Sequence, residues 1–325
     1  MKNTTLQIAA VSLGAILAAL SLSDHAFGSE STRQKNPELR LTNPLLKYVR
    51  FREIRSFKGA ISKAIDQAIK NGEVEEAAVY FRSLSDGMWF GISERESFAP
   101  ASILKIPIMI VYYKLAERDP AILQKKLRYI LDSQQELGET VTKRSAVPGE
   151  DYTIEQLIHF MITESDNSSG TILINNLPRR YFIKTFSDFG INLEGKDTFI
   201  ALKIVASMLR VLYNASYLNE EFSDRALKHL SESSFADGIR AGVPSTYPIA
   251  HKFGTRTLET NREKQLHEVA IIYYADNPYL LAVMTKGIGD DYSKLAKLIS
   301  EISALTFREV SAQSSESGTG KVITD

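Results

Sequence analysis

The sequence predicts a mixed α/β fold of the α+β type. One antiparallel sheet is covered by terminal helices, and a second, all-helical lobe is inserted into it. The chain has 325 residues, of which 44% are hydrophobic and 24% charged, so it can bury a full core like an ordinary globular protein. Strand patterns lie towards both ends of the chain, and helical patterns fill its middle. The order helix, two strands, helical block, three strands, helix therefore places the flanking pieces in one sheet.

The first 28 residues have the pattern of an export signal. Lys2 supplies a positive charge, residues 6–22 are almost continuously apolar, and Ala26-Phe27-Gly28 places small residues around a cleavage site. We expect cleavage after Gly28. The alternative is an uncleaved anchor, because the apolar stretch is close to the ~17-residue lower limit of a membrane span. Both alternatives place the remaining chain outside the cytoplasm, as a periplasmic, extracellular or membrane-anchored protein, beginning with a polar segment over residues 29–54.

The sheet lobe is predicted over residues 55–101 and 245–310. Its first helix is indicated by apolar residues at three-and-four spacing from Ile61 to Ile69. Residues 77–84 and 88–92 read as two strands joined at Ser85-Asp86-Gly87, which predicts a hairpin because Asp-Gly is a strong turn signal.

The helical lobe is predicted over residues 102–244. Thr153 and Gln156 have the spacing of a capping box at the start of one of its helices, residues 153–163. Strands at 249–255, 269–275 and 279–284 and an amphipathic closing helix then complete the sheet lobe. We expect the Ser/Gly/Thr-rich residues 311–325 to form a disordered tail.

Several classes of function are disfavoured by composition. Lys+Arg and Asp+Glu both number 39, so no basic field draws the chain to nucleic acid. There is no cysteine, which excludes thiol nucleophiles and thiolate metal sites. No two histidines stand i, i+4 around a glutamate, and there is no Gly-x-Ser-x-Gly turn. We therefore expect neither a zinc hydrolase nor a serine hydrolase of the α/β-hydrolase type.

Ser102-Ile103-Leu104-Lys105 is the one Ser-x-x-Lys in the chain. It lies where a loop is expected to enter the apolar helix of residues 106–115, and the i, i+3 spacing puts both side chains on one face. A serine hydroxyl needs an adjacent base to act as a nucleophile, and a lysine can be that base if burial or nearby cations lower its pKa. The alternative is a serine helix cap followed by a surface lysine.

Two further segments favour the catalytic interpretation. Ser165-Asp166-Asn167 follows the capped helix, and Lys252-Phe253-Gly254-Thr255 opens a predicted strand. In this order the three motifs resemble those of the active-site serine penicillin-recognising enzymes, and most closely the class A β-lactamases, over about residues 55–307. The resemblance implies a β-lactamase/transpeptidase-like fold, with a five-stranded antiparallel sheet, terminal helices and an inserted helical domain.

The resemblance also implies catalytic roles. Ser102 would be the acylated nucleophile and Lys105 its proton acceptor. Ser165 would pass a proton to the leaving nitrogen, and Lys252 would supply positive charge near it. No metal and no organic cofactor is implied.

Binding roles follow in the same way. Asn167 would hold the amide of the substrate's side chain, and Gly254, Thr255 and Arg256 would line the substrate-binding site. The backbone N–H groups of Ser102 and Thr255 would form the oxyanion hole.

The sequence departs from the family in two places. Phe253 stands where the family has a hydroxyl residue that helps bind the substrate carboxylate, so Thr255 or Arg256 would have to compensate. The alternative for Arg256 is a solvated strand charge. Glu-x-x-Leu-Asn, which carries the glutamate that activates the deacylating water, is missing after Asn167. Glu194 and Asp197 are the acids near its place, and each is interpreted as a surface charge or, for Asp197, a helix cap.

These observations leave three hypotheses. The first is an exported serine hydrolase of the β-lactamase fold that is acylated by β-lactams and hydrolyses them, with slow deacylation if the base is missing. The second is a penicillin-binding D,D-peptidase-like cell-wall enzyme, and the third is a non-catalytic envelope binding protein. The expected partner is a small-molecule β-lactam or a peptidoglycan peptide, with no nucleic acid and with membrane contact only through an N-terminal anchor. We expect a monomer.

Overall fold

A computed structural model describes residues 54–130, 145–193, 199–258, 262–275, 277–289 and 291–318. The predicted signal or anchor at residues 1–28 lies outside the described residues, as do Glu194 and Asp197. Within the part of the chain that is described, no helix has both the length and the hydropathy needed to cross a bilayer.

The elements follow the predicted order. The first part comprises α1 (Ile54–Lys70), β1 (Glu76–Ser83), β2 (Trp89–Ile92) and β3 (Ser97–Phe98). The middle part comprises α2 (Lys105–Ala116), β4 (Lys126–Arg128), β5 (Asp151–Thr153), α3 (Ile154–Thr163), α4 (Asn167–Asn175), α5 (Arg179–Asp188), β6 (Ile200–Ala201), α6 (Leu202–Tyr213) and α7 (Glu220–Ser231). The last part comprises β7 (Ile249–Thr257), β8 (Glu263–Ile272), β9 (Tyr279–Ile288) and α8 (Ser293–Gly318). Short 3₁₀ turns span Ala101–Leu104, Pro120–Gln124 and Ile239–Gly242.

The main sheet has five strands in the order β2-β1-β9-β8-β7, and every neighbouring pair is antiparallel. This confirms the predicted sheet and the hairpin between β1 and β2. The turn of that hairpin contains Gly87 at a φ of +78°, a conformation that glycine adopts without steric cost. The chain leaves the sheet after β2 and returns at the opposite edge in β7. Strand β7 therefore has one unpaired edge within the sheet, and the Ala101–Leu104 turn packs against it.

Each face of the sheet is buried by helices. Helices α1 and α8 cover one face, where the ring of Phe57 meets that of Phe81 edge-on at 5.1 Å between centroids. The helical lobe covers the other face, and α6 packs on β9 through residues such as Leu209 and Met284, both fully buried. Burial on both faces gives the sheet a rigid frame on which the residues beside β7 are held.

Several boundaries differ from those predicted. Strand β8 begins at Glu263, six residues before the predicted start. The earlier start was missed because the first residues of the strand are polar, although Gln265 and His267 are buried. The closing helix continues to Gly318, so the expected tail from Ser311 is wrong for residues 311–318. The chain there lacks an apolar face, but each added residue of an existing helix gains a backbone hydrogen bond without a new nucleation step. Residues 319–325 lie outside the described part.

Candidate active site

The turn that carries Ser102 is held tightly against strand β7. A Cβ atom at Gly254 would lie 3.0 Å from the carbonyl oxygen of Pro100 and 3.0 Å from the backbone nitrogen of Ser102. Only glycine leaves room for this approach. Ala101, just before Ser102, has a φ of +50°, a strained value for a residue with a side chain. The backbone N–H of Ser102 therefore lies beside the strand that contains Thr255.

Lys105 begins helix α2 and is buried, with 8% of its surface exposed. Its Nζ donates to the carbonyl oxygen of Ser165 at 2.5 Å and to Oδ1 of Asn167 at 2.6 Å, and it lies 3.4 Å from Oγ of Ser165. Burial lowers the pKa of Lys105 to about 8, while the negative charge of Asp166 acts in the opposite direction. The lysine of the Ser-x-x-Lys motif is thus an interior group, not the surface lysine of the alternative interpretation.

Lys252 approaches the same serine from strand β7. It is fully buried, and its Nζ donates to Oγ of Ser165 at 2.8 Å and to the carbonyl oxygen of Phe253 at 2.9 Å. Burial lowers the pKa of Lys252 well below its usual range, and the positive charge of Lys105 lowers it further, while the carboxylate of Glu268 opposes both. Two lysines with lowered pKa values therefore share the hydroxyl of Ser165.

The Ser165-Asp166-Asn167 turn is fixed by its own hydrogen bonds. Helix α3 starts with the predicted capping box of Thr153 and Gln156 and ends two residues before Ser165, which has a φ of +56°. Asp166 is fully buried and caps helix α4 by accepting from the backbone N–H groups of residues 168 and 169 at 3.2 and 2.9 Å, and also from that of residue 146 at 3.2 Å. The middle residue of this motif therefore shapes the turn, and its two neighbours present polar groups to the lysines.

The predicted site residues gather at one place. Ser102 and Lys105 line an open cleft of about 340 Å³, and Asn167, Thr255 and Arg256 line the same cleft. Ser165 and Lys252 lie beside it, joined to Lys105 by the hydrogen bonds described above. Gly254, within strand β7, lies directly against the Ser102 turn. The structure brings all eight residues together, as the motif order predicts.

Phe253 lies outside this cleft lining. Its side chain is 1% exposed and its ring stacks on Phe235, with centroids 4.2 Å apart. The ring also lies 4.4 Å from Nζ of Lys252. The aromatic residue at this position therefore packs on the lysine, and the polar side chains that strand β7 contributes to the cleft are those of Thr255 and Arg256.

Two buried residues hold the backbone just before the Ser102 turn. They were not predicted from the sequence. Oε1 of Gln265 accepts from the backbone N–H of Ala99 at 3.2 Å, and Nε2 of His267 donates to the carbonyl oxygen of Ala99 at 3.0 Å. Nδ1 of His267 accepts from the backbone N–H of Thr285, which places the proton on Nε2. Burial lowers the pKa of His267 to about 4, so the ring is neutral. We call Gln265 and His267 the Ala99 clamp; their signal in the sequence was polar residues in a strand pattern.

The fold and the three motifs define the class of β-lactamase- and transpeptidase-like proteins, and comparisons with known proteins agree. The sequence matches the family model described as the beta-lactamase enzyme family over residues 60–310, well over half of the chain. The chain belongs to this family and is a β-lactamase-like serine hydrolase. No curated protein matches it by sequence. Its place in class A in particular stays a prediction.

Solved structures share the fold at low sequence identity. A mutant of PBP-A in an acyl-enzyme complex with penicillin G is 19% identical with a TM-score of 0.65, over 80% of this chain and 97% of that one. A β-lactamase from Sphaerobacter thermophilus is 18% identical with a TM-score of 0.65, over 78% and 97%. A β-lactamase from Chitinophaga pinensis is 16% identical with a TM-score of 0.66, over 78% and 98%. At this identity the comparison establishes the fold.

Proposed function

We propose that the protein is acylated by β-lactams at Ser102 and hydrolyses the acyl-enzyme slowly. The observation that carries this proposal is the convergence of Lys105 and Lys252 on Ser165, beside the turn that contains Ser102. Burying two ammonium groups around one hydroxyl is costly for stability, and such pKa perturbation is typical of catalytic sites.

Lys105 is the proposed general base. With a pKa of about 8, roughly a tenth of these side chains are neutral at pH 7, about 300-fold more than for an ordinary lysine. A base with a pKa near the working pH is the most effective proton acceptor. Burial of Lys105 therefore makes it suited to activate the hydroxyl one helical turn before it.

The proposed acylation moves one proton through the site. Oγ of Ser102 attacks the β-lactam carbonyl carbon while its proton passes to neutral Lys105, and the carbon–nitrogen bond of the ring then breaks. Ser165, whose Oγ lies 3.4 Å from Nζ of Lys105, gives its proton to the ring nitrogen and is reprotonated by Lys105. Lys252 holds the Ser165 hydroxyl in place over 2.8 Å. The net result is transfer of the Ser102 proton to the ring nitrogen, and Lys105 and Ser165 return to the protonation states in which they began.

The oxyanion that forms on the carbonyl is assigned to the backbone N–H groups of Ser102 and Thr255. The close contact between Gly254 and the Ser102 turn supports this assignment, because it brings the two segments side by side. Losing one such donor typically costs about 10²–10³ in rate.

Substrate binding is assigned to the polar side chains of the cleft. Oδ1 of Asn167 accepts from Lys105, so its amide N–H groups are the donors it offers to a carbonyl of the substrate. Thr255 and Arg256 line the same cleft and are the proposed partners of the substrate carboxylate, which Phe253 cannot bind.

We expect slow deacylation because, among the described residues, no acidic side chain is placed to activate water in the cleft. The described residues that line the cleft include no carboxylate. Asp166 influences Lys105 but is buried and occupied in capping α4, so it is unsuited to activate water. General base catalysis is worth about 10²–10⁴ in rate, so hydrolysis without it would be slow. The same observation favours a second candidate function, a penicillin-binding D,D-peptidase-like enzyme of the cell wall.

The N-terminal pattern supports export, so the proposed substrates are those met outside the cytoplasm, a β-lactam or a peptidoglycan peptide. The protein is proposed to act as a monomer and without a cofactor.

The test combines a fluorescent penicillin, which reports adduct formation, with a chromogenic cephalosporin, which reports turnover. A persistent adduct with slow turnover is the expected result. Ser102→Ala should abolish the adduct, whereas Ser97→Ala, at an exposed position in β3, should leave it unchanged. The absence of both adduct and turnover would contradict the proposal and would favour the non-catalytic hypothesis.

A further inference from the structure

Helices α3 and α7 bring two histidines and a glutamate together on the surface, away from the cleft. His159 lies on α3, His229 lies near the end of α7, and Glu232 directly follows α7. One donor atom from each can be chosen so that all three lie within 4.8 Å of one another. His159 and Glu232 are each 42% exposed, so the cluster is open to solvent on one side.

The spacing of the donor atoms is that of metal ligands. Nδ1 of His159 lies 3.4 Å from Nδ1 of His229 and 3.5 Å from Oε2 of Glu232. Zn²⁺ binds imidazole nitrogen and carboxylate oxygen at about 2.0–2.2 Å, so adjacent ligands of a tetrahedral ion stand about 3.3 Å apart. Two sides of the triangle therefore match a zinc-type coordination shell with little movement.

A second observation concerns His229 alone. Its Nε2 lies 3.0 Å from Oε1 of Glu155, an oxygen that also accepts from Nε of Arg225 at 2.7 Å. A carboxylate that accepts from Nε2–H fixes the tautomer and leaves the lone pair of Nδ1 directed at His159. Carboxylate support of this kind is the usual outer partner of a metal-binding histidine.

We propose that His159, His229 and Glu232 form a site for a divalent transition metal of the zinc type, with solvent in a fourth position. Imidazole and carboxylate ligands suit such an ion. In its absence a proton on Nδ1 of His159 can fill the gap between the two rings, and the metal would replace that proton. The ion would join α3 to the end of α7. The segment after α7 already contacts α3, because the backbone N–H of Ser234 donates to the carbonyl oxygen of Thr163 at 3.0 Å.

The role is one of stability, because none of the three residues lines the cleft. Helix α3 ends two residues before Ser165, so the ion would hold the helix that leads into the Ser-Asp-Asn turn. Sequence reasoning had no signal for this site, since the two histidines are 70 residues apart.

The test is titration of purified full-length protein, free of any affinity tag, with ZnCl₂ by calorimetry and with CoCl₂ by visible absorption. We expect one ion per chain, the absorption bands of a four-coordinate Co²⁺, and a melting temperature raised by roughly 5 °C at a hundredfold excess over Kd. His159→Ala and Glu232→Gln should each weaken binding at least tenfold; both side chains are partly exposed, so the variants should fold.

Glu221→Gln changes an exposed acid on α7 and is the matched control. This variant is expected to bind the metal like the wild type. Absence of saturable binding, or binding that His159→Ala leaves unchanged, would overturn the proposal. Acylation by the fluorescent penicillin is measured alongside, and its presence or absence does not bear on metal binding.

Discussion

Lys252 donates a hydrogen bond to the hydroxyl of Ser165 over 2.8 Å although its side chain is fully buried. Lys105 reaches the same residue from the other side, at its carbonyl oxygen. Because the positive charge of Lys105 lowers the pKa of Lys252, the protonation states of the two lysines around this serine are linked. The pH behaviour of the protein should therefore report directly on this site.

The rate of acylation is expected to rise from about pH 6 to about pH 9, because Lys105 must be neutral to accept a proton and its pKa is about 8. The measurement is the second-order rate of labelling by a fluorescent penicillin. Lys105→Arg keeps the charge but cannot lose its proton in this range, and labelling should be lost at every pH. A rate that is flat or falls across this range would contradict the role of Lys105 as base.

Stability should respond to pH in the same direction. The pKa of Lys105 is lower in the folded protein than in the unfolded chain, so between about pH 8 and 10.5 the unfolded chain binds more protons and folding becomes more favourable as pH rises. Replacing Lys105 with Met removes the part of this pH dependence that Lys105 contributes. From pH 7 to pH 10.5 the wild type should gain up to about 3 kcal/mol relative to Lys105→Met.

Urea unfolding of both proteins at several pH values measures this difference. An opposite trend would mean that the buried lysine is not destabilised in its charged form.

Gly254→Ala should impair acylation more than folding. The added methyl group would lie 3.0 Å from backbone atoms of the Ser102 turn, which must then move away from β7 and from the second N–H of the oxyanion hole. We expect labelling to slow by roughly 10². Gly59→Ala is the control, because no atom lies within 4 Å of its added methyl group on α1, and it should raise stability by about 0.5–1 kcal/mol while labelling stays unchanged.

The Ala99 clamp should matter for rate as well as stability. His267→Phe removes the donor to the carbonyl oxygen of Ala99 and leaves that buried oxygen unpaired, at a cost of about 1–3 kcal/mol. Because Ala99 stands three residues before Ser102, we expect labelling to slow about ten- to a hundredfold through misplacement of the nucleophile.

Thr306→Ala removes a buried hydrogen bond within α8, remote from the cleft, and separates the two effects. It should lower stability without slowing labelling. Equal rates in the two variants would show that the clamp has a structural role alone.

Much of the fold could be predicted from the sequence because apolar residues mark its helices and strands. The capping box of Thr153 and Gln156 and the Asp-Gly hairpin are local signals, and both are confirmed. The start of β8 could not be predicted, because Gln265 and His267 are polar yet buried, and what makes their burial tolerable is a partner at Ala99, 166 and 168 residues away.

The candidate site was predicted through its three motifs, whereas its supporting contacts were not. Nothing in the pattern around Phe253 indicates that its ring stacks on Phe235, because the two meet only in the folded chain. The His159 and His229 pair was missed for the same reason: the i, i+4 histidine pattern places both metal ligands on one helix, whereas these two histidines lie on two helices.

Covalent bonding of Ser102 to a β-lactam can be observed by mass spectrometry of the intact protein after mixing with penicillin G. We expect one added penicillin per chain, located by proteolysis to the peptide that contains Ser102. The adduct should persist after free penicillin is removed and should be missing in Ser102→Ala. An unchanged mass in the wild type, or an adduct that survives in Ser102→Ala, would contradict it.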